Sequence, residues 1–309
     1  MENILFALLP IFLLISLGYF FKSIKFPNEE FWQYADKFTY YVLFPSLLVY
    51  KLSTASLDNI DGFNFVSSAL IAVLMASVLL ILINKFMFFF DGASFTSIYQ
   101  GSVRFNTYVF LALTDAIYGD SGLVVAALLM TFLIPSLNIF CITIFSMYAS
   151  SDKITFNSVL KSIIKNPLII ACLIGGGMNY FDISLFLPFE KTLSILSSAA
   201  LPLGLLSVGV GLHLAHIKEV KIELFTSVFI KLALFPALIL FSGISMGVGG
   251  LPLMVLVLFG AMPTASSAYI LARELGGDLK LMSAIITTQT LLSIITISVI
   301  LMVLEEYFV

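Results

Sequence analysis

Residues 97–120 read SIYQGSVRFNTYVFLALTDAIYGD, and residues 251–278 read LPLMVLVLFGAMPTASSAYILARELGGD. Both are apolar runs long enough to cross a bilayer, and both are interrupted near the middle. In the first, Arg104 and Asn106 fall where the hydrocarbon is driest. In the second, Pro263 lacks an amide hydrogen and would clash with the preceding turn, and Thr264, Ser266 and Ser267 follow it. Thr107 and Thr264 are residues suited to cap a helix that restarts after a break. The two stretches decide the fold because they echo one another: Thr107 and Thr264 stand 157 residues apart, as do Gly119 and Gly276. So do Pro10 and Pro167, Gly18 and Gly175, and Pro45 and Pro202. The echo lies in breakers and caps, which marks an internal repeat of architecture.

Around these stretches the chain is apolar almost throughout. Sixty per cent of its 309 residues are hydrophobic and 11% charged, which excludes a soluble globular domain. Runs of roughly 20 apolar residues suffice to span a membrane, and ten recur: 3–21, 35–55, 63–84, 95–118, 122–148, 163–181, 191–214, 221–244, 251–274 and 280–304. They are numbered here as spans 1 to 10. Continuous apolarity without alternation predicts helices, not a barrel. The expectation is an all-α membrane protein whose residues 1–150 and 151–309 each supply five helices. Span 1 lacks a basic leader and a small-residue cleavage site, so it reads as a retained helix. Cys141 and Cys172 lie inside apolar segments and form neither a disulfide framework nor a metal site.

Positive charge gives the orientation. Lys22, Lys25, Lys37, Lys85, Lys153, Lys161, Lys165, Lys218, Lys221, Arg273 and Lys280 follow odd-numbered spans, and only Lys51 and Lys191 lie on the other side. By the positive-inside rule both termini are expected to be extracytoplasmic; the expected location of this multi-pass protein is the plasma membrane, as the bacterial inner membrane. Five spans per half is an odd number, so the second half runs inverted to the first. Spans 4 and 9 then run antiparallel, and their restarting halves aim two positive dipole ends at the midplane, where an anion is favoured.

The stretches RFNTYVFLALTDAIYGD (104–120), MPTASSAYILARELGGD (262–278) and QTLLSIITISVIL (289–301) resemble the auxin efflux carrier family, which includes malate-permease-like bacterial members and plant auxin exporters. The resemblance covers essentially the whole chain. It implies two inverted five-helix repeats whose discontinuous spans 4 and 9 cross near the midplane, an architecture like that of sodium/proton antiporters and bile-acid symporters. It further implies a scaffold of spans 1, 2, 6 and 7, which also forms a homodimer surface. Spans 3–5 and 8–10 would form a moving transport domain that carries small organic anions by alternating access. The chain departs from the family in span 4, where Phe110 and Leu113 occupy positions at which relatives carry a proline. The first break therefore rests on Arg104, Asn106 and Thr107.

The expected substrate-binding residues are Arg104, Asn106, Thr107, Asn138, Pro263, Thr264, Ser266, Ser267 and Gln289. A mid-depth guanidinium suits a carboxylate held by two bonds, or else it pairs with Asp115 or reaches toward the headgroups. Asn106 contacts substrate or caps a helix. Asn138 matches, in spacing, a second asparagine of the family's site, or it bonds a neighbouring helix. Gln289, within Thr287–Thr290, reads as a ligand contact or as polar glue between helices. Asp115 and Lys231 are the candidate charge partners; Lys231 is a counter-ion or a snorkelling cation. His213 and His216 read as interfacial rather than metal-binding. Gly175, Gly176, Gly177, Gly204, Gly209 and Gly211 are expected to let spans 6 and 7 approach closely. No cofactor, metal or nucleic acid is expected, and the coupling ion, proton or sodium, is open. Candidate substrates are carboxylates such as malate or auxin-like acids. The rival reading is a sodium/proton antiporter, which would need a buried carboxylate where spans 5 and 10 carry Asn138 and Gln289. An enzyme is not expected, since no nucleophile or metal motif occurs.

Overall fold

The computed structural model describes residues 2–54, 61–149, 165–214 and 222–308. The readings on Lys153, Lys161, Lys218, Lys221, His216 and the boundary at 150/151 lie outside these residues. The described chain is helical, and helix falls on every predicted span. Helix α1 is Glu2–Ser23. Helix α2, Glu29–Phe38, runs through a π turn, Thr39–Leu43, into α3, Phe44–Ser53. Then come α4, Gly62–Ile83, α5, Gly92–Val103, and α6, Thr107–Tyr148. The second half supplies α7, Pro167–Tyr180, and α8, Leu187–Val210. Helix α9, Ile222–Phe229, continues through another π turn, Ile230–Leu234, into α10, Phe235–Ser245. The chain ends with α11, Gly250–Ala261, α12, Ser267–Leu275, and α13, Leu279–Phe308.

Local chemistry accounts for the boundaries. Asn28, Asp61, Asp91, Asn106 and Asn166 each fold a side-chain oxygen back onto first-turn amides of the helix that follows. Those amides have no partner within the helix, and none from water inside a bilayer. The π turns Thr39–Leu43 and Ile230–Leu234 are followed by Phe-Pro, at Phe44–Pro45 and Phe235–Pro236, whereas a further one, Asn84–Phe88, ends α4 at Phe89. A proline one residue into the next helix offers no amide to the turn before it, and widening that turn by one residue accommodates the ring.

Six of the described helices or helical runs are long and apolar enough to cross a membrane, and Pro167–Tyr180 and Gly250–Ala261 are shorter apolar helices. The run Gly92–Tyr148 counts as one of the six. Its 57 residues would measure about 85 Å as a straight helix, far beyond a hydrocarbon core of ~30 Å. It does not run straight: residues 104–106 interrupt it, and Gly119, with φ 60°, turns it again. Gly276, the repeat partner of Gly119, also has positive φ, at 82°. Glycine meets both turns at no steric cost.

The repeated glycines mark close packing, but between other partners than expected. A Cβ on Gly18 of α1 would collide with the Leu206 carbonyl of α8, and one on Gly209 of α8 with the Ile15 carbonyl of α1. A Cβ on Gly175 of α7 would lie 2.9 Å from Leu52 Cβ and 3.0 Å from Val49 Cα, both in α3. Span 7 thus packs on span 1, and span 6 on span 2. Gly204 faces Phe44 and Tyr108, and Gly176 and Gly177 meet nothing within 4 Å. The expected approach of spans 6 and 7 through these glycines is not the contact they make, because each helix spends its smooth face on a first-half neighbour.

Candidate functional site

Helix α5 ends where Arg104 turns extended, at φ −73° and ψ 160°. Asn106 stays extended and caps α6: its Oδ1 accepts from the amides of Tyr108 at 3.0 Å and Val109 at 3.2 Å. The cap is therefore Asn106 and not Thr107, which is already the first helical residue. In the second break Met262 is extended and α12 begins at Ser267. Ser266 precedes it with helical dihedrals and no capping bond, and its buried hydroxyl has no partner. Thr264 caps nothing. Its position two residues farther upstream leaves its amide free to meet Gln289 Oε1 at 2.9 Å, while its hydroxyl donates to the Gln100 carbonyl at 3.4 Å.

The two breaks touch through their main chains: the Asn106 amide donates to the Pro263 carbonyl at 2.8 Å. Gln289, fully buried, fastens the junction from α13. Besides accepting from Thr264, its Nε2 donates to the Gly101 carbonyl at 3.0 Å and lies 3.3 Å from the Ser227 carbonyl. Gln100 adds a tie, donating from Nε2 to the Ala268 carbonyl at 3.0 Å. Broken helices leave donors and acceptors that no lipid can satisfy, and here the side chains of Gln100, Thr264 and Gln289 meet main-chain groups of both breaks.

Beside this junction lies a cavity of about 170 Å³. Arg104, Thr107, Asn138 and Ser267 line it, with Tyr40, Phe105, Ile134, Leu137, Asn166, Leu168 and Ala265. Of the nine residues anticipated as ligands, these four share the cavity, Asn106, Pro263, Thr264 and Gln289 hold the junction beside it, and Ser266 does neither. Arg104 Nη2 reaches Ser267 Oγ only at 3.5 Å, and Nη1 is buried without a partner. Asp115 does not answer it; among the described residues the one ion pair joins Lys51 to Asp120. A long bond to Ser267 and a contact with the Cys141 thiol engage it only weakly, so this guanidinium, with Nη1 unpartnered, is the strongest open anion-binding group of the cavity.

Sequence reading missed Tyr40, Asn166 and Gln100. Asn166 was legible as the cap before Pro167, since Asn-Pro at the start of an apolar run is a helix entry. Tyr40 reaches the cavity from span 2, a placement that only the tertiary fold supplies. On its margin the Tyr108 hydroxyl donates to Asp36 Oδ1 at 3.3 Å, and the Tyr108 ring stacks on Phe44 with centroids 4.6 Å apart. Lys231 lies fully buried against the rings of Phe235 and Phe259. His213 is held at the cytoplasmic end predicted for span 7, its amide donating to Thr287 Oγ1 at 2.9 Å and its ring bonding to Lys22.

Residues 3–301 match the family model described as "Membrane transport protein". The chain is similar to a protein of Rhizobium meliloti (strain 1021) named "Putative malonate transporter", 25% identical over 313 residues that cover 96% of this chain and 95% of that one. It is also similar to the "Uncharacterized transporter YfdV" of Escherichia coli (strain K12), 25% identical over 279 residues covering 86% of each.

Proposed function

The chain belongs to the membrane transport protein family, that of the auxin efflux carriers, and on that premise we propose that it carries small organic carboxylates across the membrane by alternating access. The observation that carries this reading is the Arg104 guanidinium, half-buried at the junction of two broken helices with Nη1 open toward no protein acceptor. A carboxylate entering the cavity replaces the long bond to Ser267 with two short charge-assisted ones. Thr107, Asn138 and Asn166 stand around the remaining volume to receive hydroxyl or second-carboxylate oxygens, and Phe105, Ile134 and Leu137 form the apolar wall. The printed name of the Rhizobium relative supports a dicarboxylate of three carbons as the first candidate. The cavity's volume favours such a small acid over an indole acid.

In this reading the ten helical spans form two inverted five-helix repeats. The crosswise packing of span 1 on span 7 and span 2 on span 6 supports the pseudo-two-fold, because exchanging the halves maps one pair onto the other. The positive-φ glycines at 119 and 276 and the contact of the two breaks follow the same relation. Spans 3–5 with 8–10 then move against spans 1, 2, 6 and 7, whose outer face takes a second copy of the chain. Both termini lie outside the plasma membrane. The test is uptake of labelled malonate into proteoliposomes, with malate and indoleacetate as competitors. Saturable uptake that disappears in Arg104→Ala supports the reading; no carboxylate transport by the unaltered protein refutes it.

A further inference from the structure

Among the described residues Lys231 is the one basic or acidic side chain that is fully buried, with 0% of its surface exposed. Its Nζ has no hydrogen-bond partner. Instead it lies 4.3 Å from the ring centroid of Phe235 and 5.5 Å from that of Phe259. The residue sits in the π turn Ile230–Leu234, so its side chain is presented by a widened turn of a kind that clusters at functional positions. A cation and two aromatic faces attract one another. Phe259 belongs to the last turn of α11, whose end at Ala261 carries the negative pole of that helix toward the junction. The same ring meets Phe105 edge-on at 4.8 Å, and Phe105 lines the cavity next to Arg104. Two rings in contact, Phe259 and Phe105, therefore connect this amine to the cavity.

Ionisable groups are sparse on the elements packed around it. Helix α9 carries Glu223 in its first turn, and α5 carries Tyr99, whose hydroxyl is bonded to Ser77. Helix α13 carries Lys280, Glu305, Glu306 and Tyr307 in its terminal turns, and α10 and α11 carry none. No ion pair reaches Nζ from any of them. The ammonium is thus favoured by ring faces and a helix end and opposed by loss of water, two effects of opposite sign at one site. A group so balanced changes protonation when its access to water changes. Three main-chain acceptors at the junction already receive protein donors: the Gly101 carbonyl takes Gln289, the Gln100 carbonyl takes Thr264 and the Pro263 carbonyl takes Asn106.

We propose that Lys231 is the proton-coupling site of this carrier. Its Nζ lone pair accepts a proton from hydronium when the junction opens to one side, leaving water, and returns that proton to water on the other side. The ammonium formed offsets the negative charge of the carboxylate beside Arg104 during the crossing. The inference rests on the carboxylate-carrier reading for its substrate, but the titration of the amine does not.

Two measurements separate these. In sodium-free proteoliposomes with malonate as probe, an imposed pH gradient drives accumulation by the unaltered protein. Lys231→Met keeps malonate/malonate exchange but loses gradient-driven accumulation by at least tenfold. Accumulation by Lys231→Met at the unaltered level overturns the proposal. Independently of any substrate, nitrogen NMR of Nζ-labelled lysines in detergent shows one resonance that titrates apart from the other twelve and vanishes in Lys231→Met. Thirteen lysines titrating alike overturn the proposal even if malonate is carried. A separate resonance together with absence of malonate transport faults the substrate assignment and leaves the amine's titration standing.

Discussion

At the residue scale the decisive group is Arg104, and its worth is measurable because it has no carboxylate neighbour to mask it. A charge-assisted bond contributes roughly 1.5–3 kcal/mol, which corresponds to about a tenfold to hundredfold loss of carboxylate affinity in Arg104→Ala. Arg104→Lys keeps the charge but presents a point donor in place of a planar fork, so it regains only part of that affinity. Thermal shift against a malonate titration reads both variants. Gln289 makes the opposite prediction. Its amide is committed to Thr264, Gly101 and Ser227, so Gln289→Leu strips partners from a buried amide and a buried carbonyl at once. Hydrogen bonds between membrane helices average about 0.6 kcal/mol and reach about 1.7, which puts the loss at roughly 1–3 kcal/mol for the set. The expected result is a lower melting temperature with the affinity of the folded fraction changed less than in Arg104→Ala. A fall in affinity equal to that of Arg104→Ala, at unchanged stability, would place Gln289 in the cavity instead. The sequence named both residues and could not divide their roles, because the side of the junction on which a polar group lies is a matter of rotation about a helix that no spacing rule fixes.

At the scale of elements, hydropathy placed helix on all ten segments, and Arg104, Asn106 and Pro263, with the paired Thr107 and Thr264, located both breaks. What the pattern did not carry was which helix meets which. Gly175, Gly176 and Gly177 look alike in sequence, yet only Gly175 touches a neighbouring backbone. This separates three adjacent substitutions. Gly175→Ala pushes a methyl against Leu52 and Val49, an overpacking that costs about 1–3 kcal/mol where the helices cannot part. Gly176→Ala and Gly177→Ala enter open space and replace a poor helix former with the best, a gain of up to about 1 kcal/mol each. Melting temperatures should therefore fall in the first variant and hold or rise in the other two. A uniform fall would mean that α7 packs through all three glycines. The caps teach the same limit: Thr107 has the right chemistry for a helix start, but Asn106, one residue earlier, holds the extended backbone from which a side chain reaches the first-turn amides. Capping is decided by dihedral angles as much as by residue type.

At the scale of the whole molecule, alternating access requires contacts between the two groups of helices that exist in one state and break in the other. Beside the bond from the His213 amide to Thr287, two side-chain ties on span 2 bridge them outside the cavity. Tyr108, in the second residue of α6, joins Asp36 of α2 and stacks on Phe44. Lys51 of α3 pairs with Asp120, which follows the turn at Gly119. The second pair is exposed on its aspartate side, where solvent screens it, so the ion pair itself adds little to stability. Its value as a probe is geometric: it joins span 2 to the start of span 5, which the proposed mechanism assigns to opposite sides of the moving boundary. Cysteines at 51 and 120, in a background where buried Cys141 and Cys172 are replaced by alanine, can be bridged by a short bifunctional thiol reagent. If the two groups of helices slide past each other, the bridged protein still binds malonate but carries it at least tenfold more slowly, and cleaving the bridge restores transport. If bridged protein transports at the unbridged rate, residues 51 and 120 stay together through the cycle. The boundary of motion would then have to be redrawn on the other side of span 2, with Tyr108 and Asp36 moving as one body.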